Sequence, residues 1–254
     1  MTITCMMRVR NEARWISEVL ASIHPLTKDI LILDDHSSDG TPALCAAAGA
    51  TVIHSPFPED QKDEARDKNF LLNVILEHNT PDYVLAIDGD EVLEAGAADR
   101  LRELLLQHPE ISWYSFPVRY LWGDRLHYRV DGVYEKYQRQ SMFSLRGAVN
   151  PHYASTKYGC NFHCGQVPLG LPGSGCNVSA GADLLHLGYM LAEDRIRKYE
   201  FYNRMDPGNQ YEDFYRHVAQ GDLPELPADA KFLHGGPLRI FPLSASKWPS
   251  FVAK

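Results

Sequence analysis

Asp88-Gly89-Asp90, with Glu91 directly after, sets two carboxylates one residue apart. Side chains alternate along an extended backbone, so Asp88 and Asp90 can point to the same side. Gly89 between them lets the backbone turn and a bulky ligand approach. Two carboxylates converging on one point repel each other unless a cation sits between them. Oxygen ligands of this kind suit Mg²⁺ or Mn²⁺, and Mg²⁺ usually shares its shell with substrate phosphates and water. Surface turns also favour Asp and Gly, which leaves a purely structural reading of the triplet open. The apolar run YVLAI immediately before it is the context that favours chemistry.

A second acidic pair, Asp34-Asp35, closes another apolar run, and turn residues His36-Ser-Ser-Asp-Gly40 follow it. A third constellation is Cys160-x-x-His163-Cys164 with Cys176 beyond. Thiolate and imidazole are good zinc ligands, but this spacing is not the usual C-x₂-C pairing. His163-Cys-Gly-Gln166 reads better as a loop than as a metal site.

These residues need a scaffold, and the hydrophobic pattern supplies one. Ile3 to Val9, Ile30 to Asp34, Thr51 to His54 and Tyr83 to Ile87 read as strands. Between and after them, Ala13 to Ile23, Thr41 to Ala48, Glu64 to His78 and Ala97 to His108 read as helices, with Thr41 as a cap. Strands separated by helices of this length imply an α/β fold, a Rossmann-type, mostly parallel sheet with helices on both faces. In such a sheet ligands bind beyond the carboxyl ends of the strands, where both acidic pairs fall. The second half is less regular. Trp113 to Trp122, Leu126 to Val130, Ser141 to Leu145 and Leu184 to Tyr189 suggest strands, Asn150 to Ala182 a loop, and Ala192 to Met205 a charged helix. The proline-rich tail from Pro224 is expected to wrap the surface. Without repeats or a low-complexity linker, 1–254 reads as one domain, with 1–110 and 111–254 as functional halves.

The net charge of −8 is the wrong sign for an electrostatically driven nucleic-acid binder. No apolar run approaches the ~20 residues that span a bilayer, so no transmembrane segment is expected. MTITCMMRVRNE carries charges where a secretory signal would be apolar, which points to the cytoplasm. Five cysteines, an odd and sparse set, suggest reduced thiols.

A strand ending in RNE, then ILILDDHSSDGT, then YVLAIDGDE, in that order and spacing, resembles the family 2 glycosyltransferases with the GT-A fold. HLGY followed by a basic helix is similar to smaller bacterial members. The resemblance implies a GT-A-like fold and transfer of a sugar from a nucleotide-sugar donor, expected to be a UDP-sugar, with Mn²⁺ or Mg²⁺ as cofactor. It implies that Asp35 holds the nucleotide base, that Arg8 and Glu12 line the nucleotide pocket, and that Arg66, ahead of Lys68, approaches the nucleotide. By the same resemblance Asp88 reaches ribose and metal, Asp90 binds metal, and His186 completes the metal shell. Arg195, Arg197 and Lys198 are placed to offset diphosphate charge. The chain departs from the pattern at His36, where the family often has Gly, and after Arg66, where Asn is usual.

The resemblance also implies inversion by a carboxylate base. The usual base motif is not legible, and Asp131 in YRVDGVY, with Asp124 and Glu135 nearby, is the candidate. The acceptor is left open as a sugar, lipid-linked, protein or small-molecule group. Two other readings compete: a sugar nucleotidyltransferase, which needs a Gly-rich phosphate loop where this chain has MMRVRNE, and a non-catalytic nucleotide-sugar binding module. A dinucleotide enzyme would need G-x-G-x-x-G, which is absent.

Overall fold

The computed structural model describes residues 1–78, 80–155, 164–172, 178–208, 215–223 and 238–250. The run Ile3–Val9 forms β1, buried almost throughout because it lies inside a parallel group. β1 pairs in parallel with β2 (Ile30–Asp34) on one side, and β2 with β3 (Thr51–His54) beyond it. On its other side β1 pairs in parallel with β4 (Tyr83–Ala86).

Alternation along β1 divides the core between two faces. Cys5, Met7 and Val9 pack with Ile16, Val19 and Leu20 of α1 (Ile16–Ile23). Leu101 and Leu105 of α4 (Ala97–Gln107) join that side. Met6, with Leu31 and Leu33 of β2, packs instead on Leu71, Leu72 and Ile75 of α3 (Glu64–His78). Helices thus cover both faces, as the pattern requires.

The second half extends the sheet mainly by antiparallel pairing. β8 (Gln138–Phe143) runs antiparallel between β4 and β6 (Trp113–Trp122), and β7 (Asp124–Arg129) lies antiparallel on β6. The short β9 (Val178–Ser179) pairs in parallel with β6. β10 (Leu184–His186) is parallel to β6 and antiparallel to β5 (Glu91–Leu93). α5 (Ala192–Met205) follows. No described helix is long and apolar enough to cross a membrane.

Several expectations shift. Residues 13–15 form a turn, so α1 starts at Ile16. Thr41 is the first residue of α2 (Thr41–Ala47) and not its cap; its N–H donates to Asp39 at 2.9 Å. His36 takes the left-handed conformation, φ 56°, that glycine adopts without cost, and its ring is held by the Phe57 carbonyl at 2.7 Å. The described part of the tail does more than wrap. β11 (Ile240–Pro242) joins β7, and the buried Trp248 donates its indole N–H to the Arg125 carbonyl at 2.7 Å.

Candidate nucleotide and cation site

Parallel pairing puts Arg8 of β1 beside the end of β2, where the Asp35 N–H donates to the Val9 carbonyl at 2.8 Å. The Arg8 guanidinium then bridges two buried carboxylates, Asp35 at 2.5 Å and Asp67 at 2.7 Å. Arg66 grips the other oxygen of Asp67 at 2.8 Å and lies 4.0 Å from the Phe57 ring centroid. Three expected nucleotide residues, Arg8, Asp35 and Arg66, are therefore brought together through a fourth, Asp67. Asp67 stands where the resemblance led us to look for Asn, and a carboxylate is what lets two arginines share one anchor. Arg10 and Lys62 approach Asp35 as well, at 3.6 and 3.7 Å. Arg8, Arg10, Lys62 and Arg66 thus meet carboxylate partners at this end of the sheet. A cleft of about 480 Å³ opens beside Arg66, between Phe57, Asn69, Phe70 and Tyr153.

The second group forms where β4 ends. Asp88 accepts from Arg139 of β8 at 2.9 Å and from the Gln166 amide at 2.8 Å. Arg139 also pairs with Glu91. Burial alone would raise the Asp88 carboxyl, but Arg139, Lys68 and the Gln166 hydrogen bond outweigh it and hold the pKa well below the ordinary carboxylate range. Asp90 accepts from the Lys198 ammonium of α5 at 2.9 Å. Burial works against that ammonium, yet Asp90, Tyr189 and Glu12 together outweigh it and raise its pKa. Glu12 closes the group from the β1 side. Its carboxyl is pushed up to about 8 by burial and then by Asp90, with Lys198 opposing. Gly89 permits this approach, because a Cβ there would stand 2.9 Å from Glu12 Cγ.

β10 delivers His186. It is opposite Glu91 in the β5 pairing, and the Leu187 N–H donates to the Asp90 carbonyl at 2.8 Å. Its Nε2 faces Asp90 Oδ2 at 3.8 Å. The ring is wedged against Tyr120 and Tyr189, with centroids 4.8 and 5.0 Å away. Burial pushes its pKa down to about 4 against the pull of Asp90, so the imidazole is neutral at pH 7. Nδ1 is buried with no hydrogen-bond partner among the described residues. Gly188 keeps the space between these groups open, since a Cβ there would lie 2.0 Å from Asp90 Oδ2 and 2.9 Å from His186 Cε1.

A buried carboxylate facing a neutral imidazole, across space that only glycine leaves open, is a donor set that fits Mn²⁺ or Mg²⁺. Asp88, Asp90 and His186 do not, however, close on a single point as expected. Among the described residues no three His, Cys, Asp or Glu side chains are grouped to hold one ion. The reason is that Asp88 is turned toward Arg139 and Gln166.

Asp131 is buried in an ion pair, and not at an open turn. Its carboxylate is 3% exposed and accepts from Arg129 Nη2 at 2.7 Å and from the Arg239 backbone N–H at 2.8 Å. Arg129, itself fully buried, also bonds the His217 carbonyl and Gln220. A carboxylate committed to a buried guanidinium is poorly placed to take a proton from an acceptor. Asp124 is exposed and paired with the His127 ring at 2.8 Å. Cys160, His163 and Cys176 lie outside the described residues, while Cys5, Cys45 and Cys164 are free thiols.

Residues 4–158 match glycosyl transferase family 2, a span that takes in β1 to β8 and both acidic pairs. The chain belongs to that family. A TPR repeat-containing protein of Synechococcus elongatus is 33% identical to this family 2 chain over 109 residues, 43% of the chain and 25% of that protein. An uncharacterized protein of Mycobacterium tuberculosis is 26% identical over 221 residues, 83% of this chain and 52% of the other. Among solved structures, glucosyl-3-phosphoglycerate synthase from Mycobacterium tuberculosis, in complex with Mn²⁺ and UDP-glucose, is 24% identical with a TM-score of 0.37, covering 47% of this chain and 43% of that one. This family 2 chain thus spans from a quarter to about half the length of these curated relatives.

Proposed function

We propose that this family 2 chain is a divalent-cation-dependent glycosyltransferase using a nucleoside-diphosphate-sugar donor, a UDP-sugar, with inversion at the transferred sugar. The observation that carries this reading is the placement of two groups at the carboxyl ends of neighbouring parallel strands. Arg8, Asp35, Asp67 and Arg66 form one, and Asp88, Asp90, His186 and Lys198 the other. The first is suited to base and ribose, because charged groups fixed by one another present hydrogen bonds in a set geometry. Asp90 and His186 would hold the cation, with phosphate oxygens and water completing its shell. Once bound, the cation supplies positive charge to offset what develops on the diphosphate as the glycosidic bond breaks. Arg139 fixes Asp88 at the rim, and Gly188 keeps bulk out of the gap. Tyr120 and Tyr189 exclude water from one side of His186.

A thermal-shift screen of nucleotide sugars, with and without Mn²⁺, tests this directly. A ligand at a hundred times its Kd stabilises the native state by about 2.7 kcal/mol, or about 5 to 10 °C for a chain of this size. The rise should come with a UDP-sugar and Mn²⁺ together and be much smaller with either alone. A flat melting temperature across all nucleotide sugars would end the proposal. Hydrolysis or transfer of the donor by the purified protein separates an enzyme from a binding module.

The nucleotide half carries its own prediction. Asp35→Ala should weaken UDP binding by ~1 to 3 kcal/mol, as for a lost charge-assisted hydrogen bond. Calorimetry with UDP measures it. Unchanged affinity would mean that Asp35 only anchors Arg8.

A further inference from the structure

The oxygen of Asp90 that faces His186 already has a cationic partner. Lys198 Nζ sits 2.9 Å from Oδ2, the same atom that lies 3.8 Å from His186 Nε2. A divalent ion at contact distance from that oxygen would be only a few ångströms from the ammonium, and like charges at that range repel strongly away from bulk water. Lys198 and an ion therefore compete for one position. The surroundings of Lys198 favour a mobile occupant. Its side chain is 22% exposed, so it has a way out toward solvent. The ammonium lies 4.9 Å from the Tyr189 ring centroid, which gives it a second attractive surface. Gly188 gives it room, since a Cβ there would come within 2.4 Å of Nζ.

Arg195 lacks that freedom, being locked by Asp222 at 2.6 Å and by the Tyr189 and Met190 carbonyls, while Arg197 is exposed and pairs with Asp194, not Asp90. Lysine also suits the task, being a compact charge on a flexible stem with three rotatable donors.

Resting on the reading that Asp90 and His186 take a divalent cation, we propose that Lys198 is an exchangeable counter-ion. It holds the cation's place on Asp90 until the ion arrives, is then released, and turns its ammonium to the diphosphate of the donor. Lys198 is on this account a positioning residue for the cation and a binding residue for the donor. Cation and donor bind cooperatively because the ion frees the lysine that the phosphates need.

Mn²⁺ binding without nucleotide, followed by electron paramagnetic resonance of the free ion, is compared for the wild type, Lys198→Met and Asp90→Asn. Lys198→Met should bind Mn²⁺ about tenfold more tightly or better, because the competing charge is gone. At saturating Mn²⁺ the same variant should bind UDP about tenfold more weakly, for want of a charged donor. Wild-type Mn²⁺ binding that Lys198→Met fails to tighten would overturn the exchange. Tighter Mn²⁺ with unchanged UDP affinity would overturn the turn to the diphosphate. Mn²⁺ binding that survives Asp90→Asn, or is absent from the wild type, would instead remove the cation site and this inference with it. Lys198→Gln, which keeps a hydrogen-bond donor for Asp90, serves if the Met variant does not fold. Amine labelling of Lys198 in the wild type, read by mass spectrometry, needs no variant. It should rise on adding Mn²⁺ and fall again with UDP, and labelling indifferent to Mn²⁺ would overturn the exchange.

Discussion

Asp90→Asn is expected to lower sugar transfer by at least about 100-fold, the scale of losing one electrostatic group from a preorganised site, while the chain stays folded. The substitution keeps the shape of the side chain and an oxygen that accepts from Lys198. It also leaves the backbone bond between the Asp90 carbonyl and the Leu187 N–H untouched. What disappears is the charge that would hold a cation opposite His186. Turnover and circular dichroism must be read on the same preparation, at unchanged Mn²⁺. Near-normal turnover in a folded variant would remove the cation site, and transfer would then depend on the chain's own cations.

The largest stability effect should come from a residue outside the site. Arg129 is fully buried, binds Asp131 through Nε and Nη2, and lies 4.8 and 4.3 Å from the ring centroids of Trp122 and Tyr134. Removing one partner of a buried ion pair costs about 3 to 5 kcal/mol, so Arg129→Ala should lower stability by that amount. For a chain of this size the melting temperature would fall by roughly 6 to 20 °C. Replacing both partners, as Arg129→Met with Asp131→Leu, should cost less than Arg129→Ala alone, because no charge is then left in the core. The check is chemical denaturation of the single and double variants. A double variant as unstable as Arg129→Ala would show that stacking on Trp122 and Tyr134, and not the ion pair, carries the effect. Turnover of Asp131→Asn decides the chemistry. Transfer lost at full stability would restore Asp131 as the base.

The parallel half of the fold was legible because β1, β2 and β4 are buried almost throughout and read as largely apolar runs, as Ile30 to Leu33 does, with only the edge strand β3 partly exposed. The acids Asp35, Asp88 and Asp90 were legible for a related reason, since strand ends are where such a sheet exposes function. Contacts built from single polar residues left no local trace. Arg139 sits in YQRQS and Gln166 in a loop, and only the placement of β8 between β4 and β6 brings Arg139 to Asp88. The basic helix was visible, but which of Arg195, Arg197 and Lys198 faces Asp90 is a matter of packing. β5 has three residues, too few for any periodicity to register. The burial of Asp131 was not legible, because Asp-Gly suggests an exposed turn. Arg129, two residues earlier on an extended backbone, shares its side, and that spacing was the available clue to a buried pair.

β10 is wedged between β5 and β6, and its placement has a consequence for how the protein is made. Asp90 and Lys198 are separated by 108 positions, and Asp88 and Gln166 by 78. At about 5 to 20 residues per second, a ribosome that has just added Asp90 needs roughly 5 to 20 s to reach Lys198. For the early part of that interval the nascent chain carries the acids of Asp88 to Glu91 without Arg139 or Gln166, β4 has an open edge until β8 is made, and Lys198 is the last of the three partners to arrive. Long-range pairing of this kind is slow, because chain entropy is lost before the contact returns anything. The first hundred residues can collapse early around α1 and α3. Asp90 gains Lys198 last, after β8 has had time to close on β4.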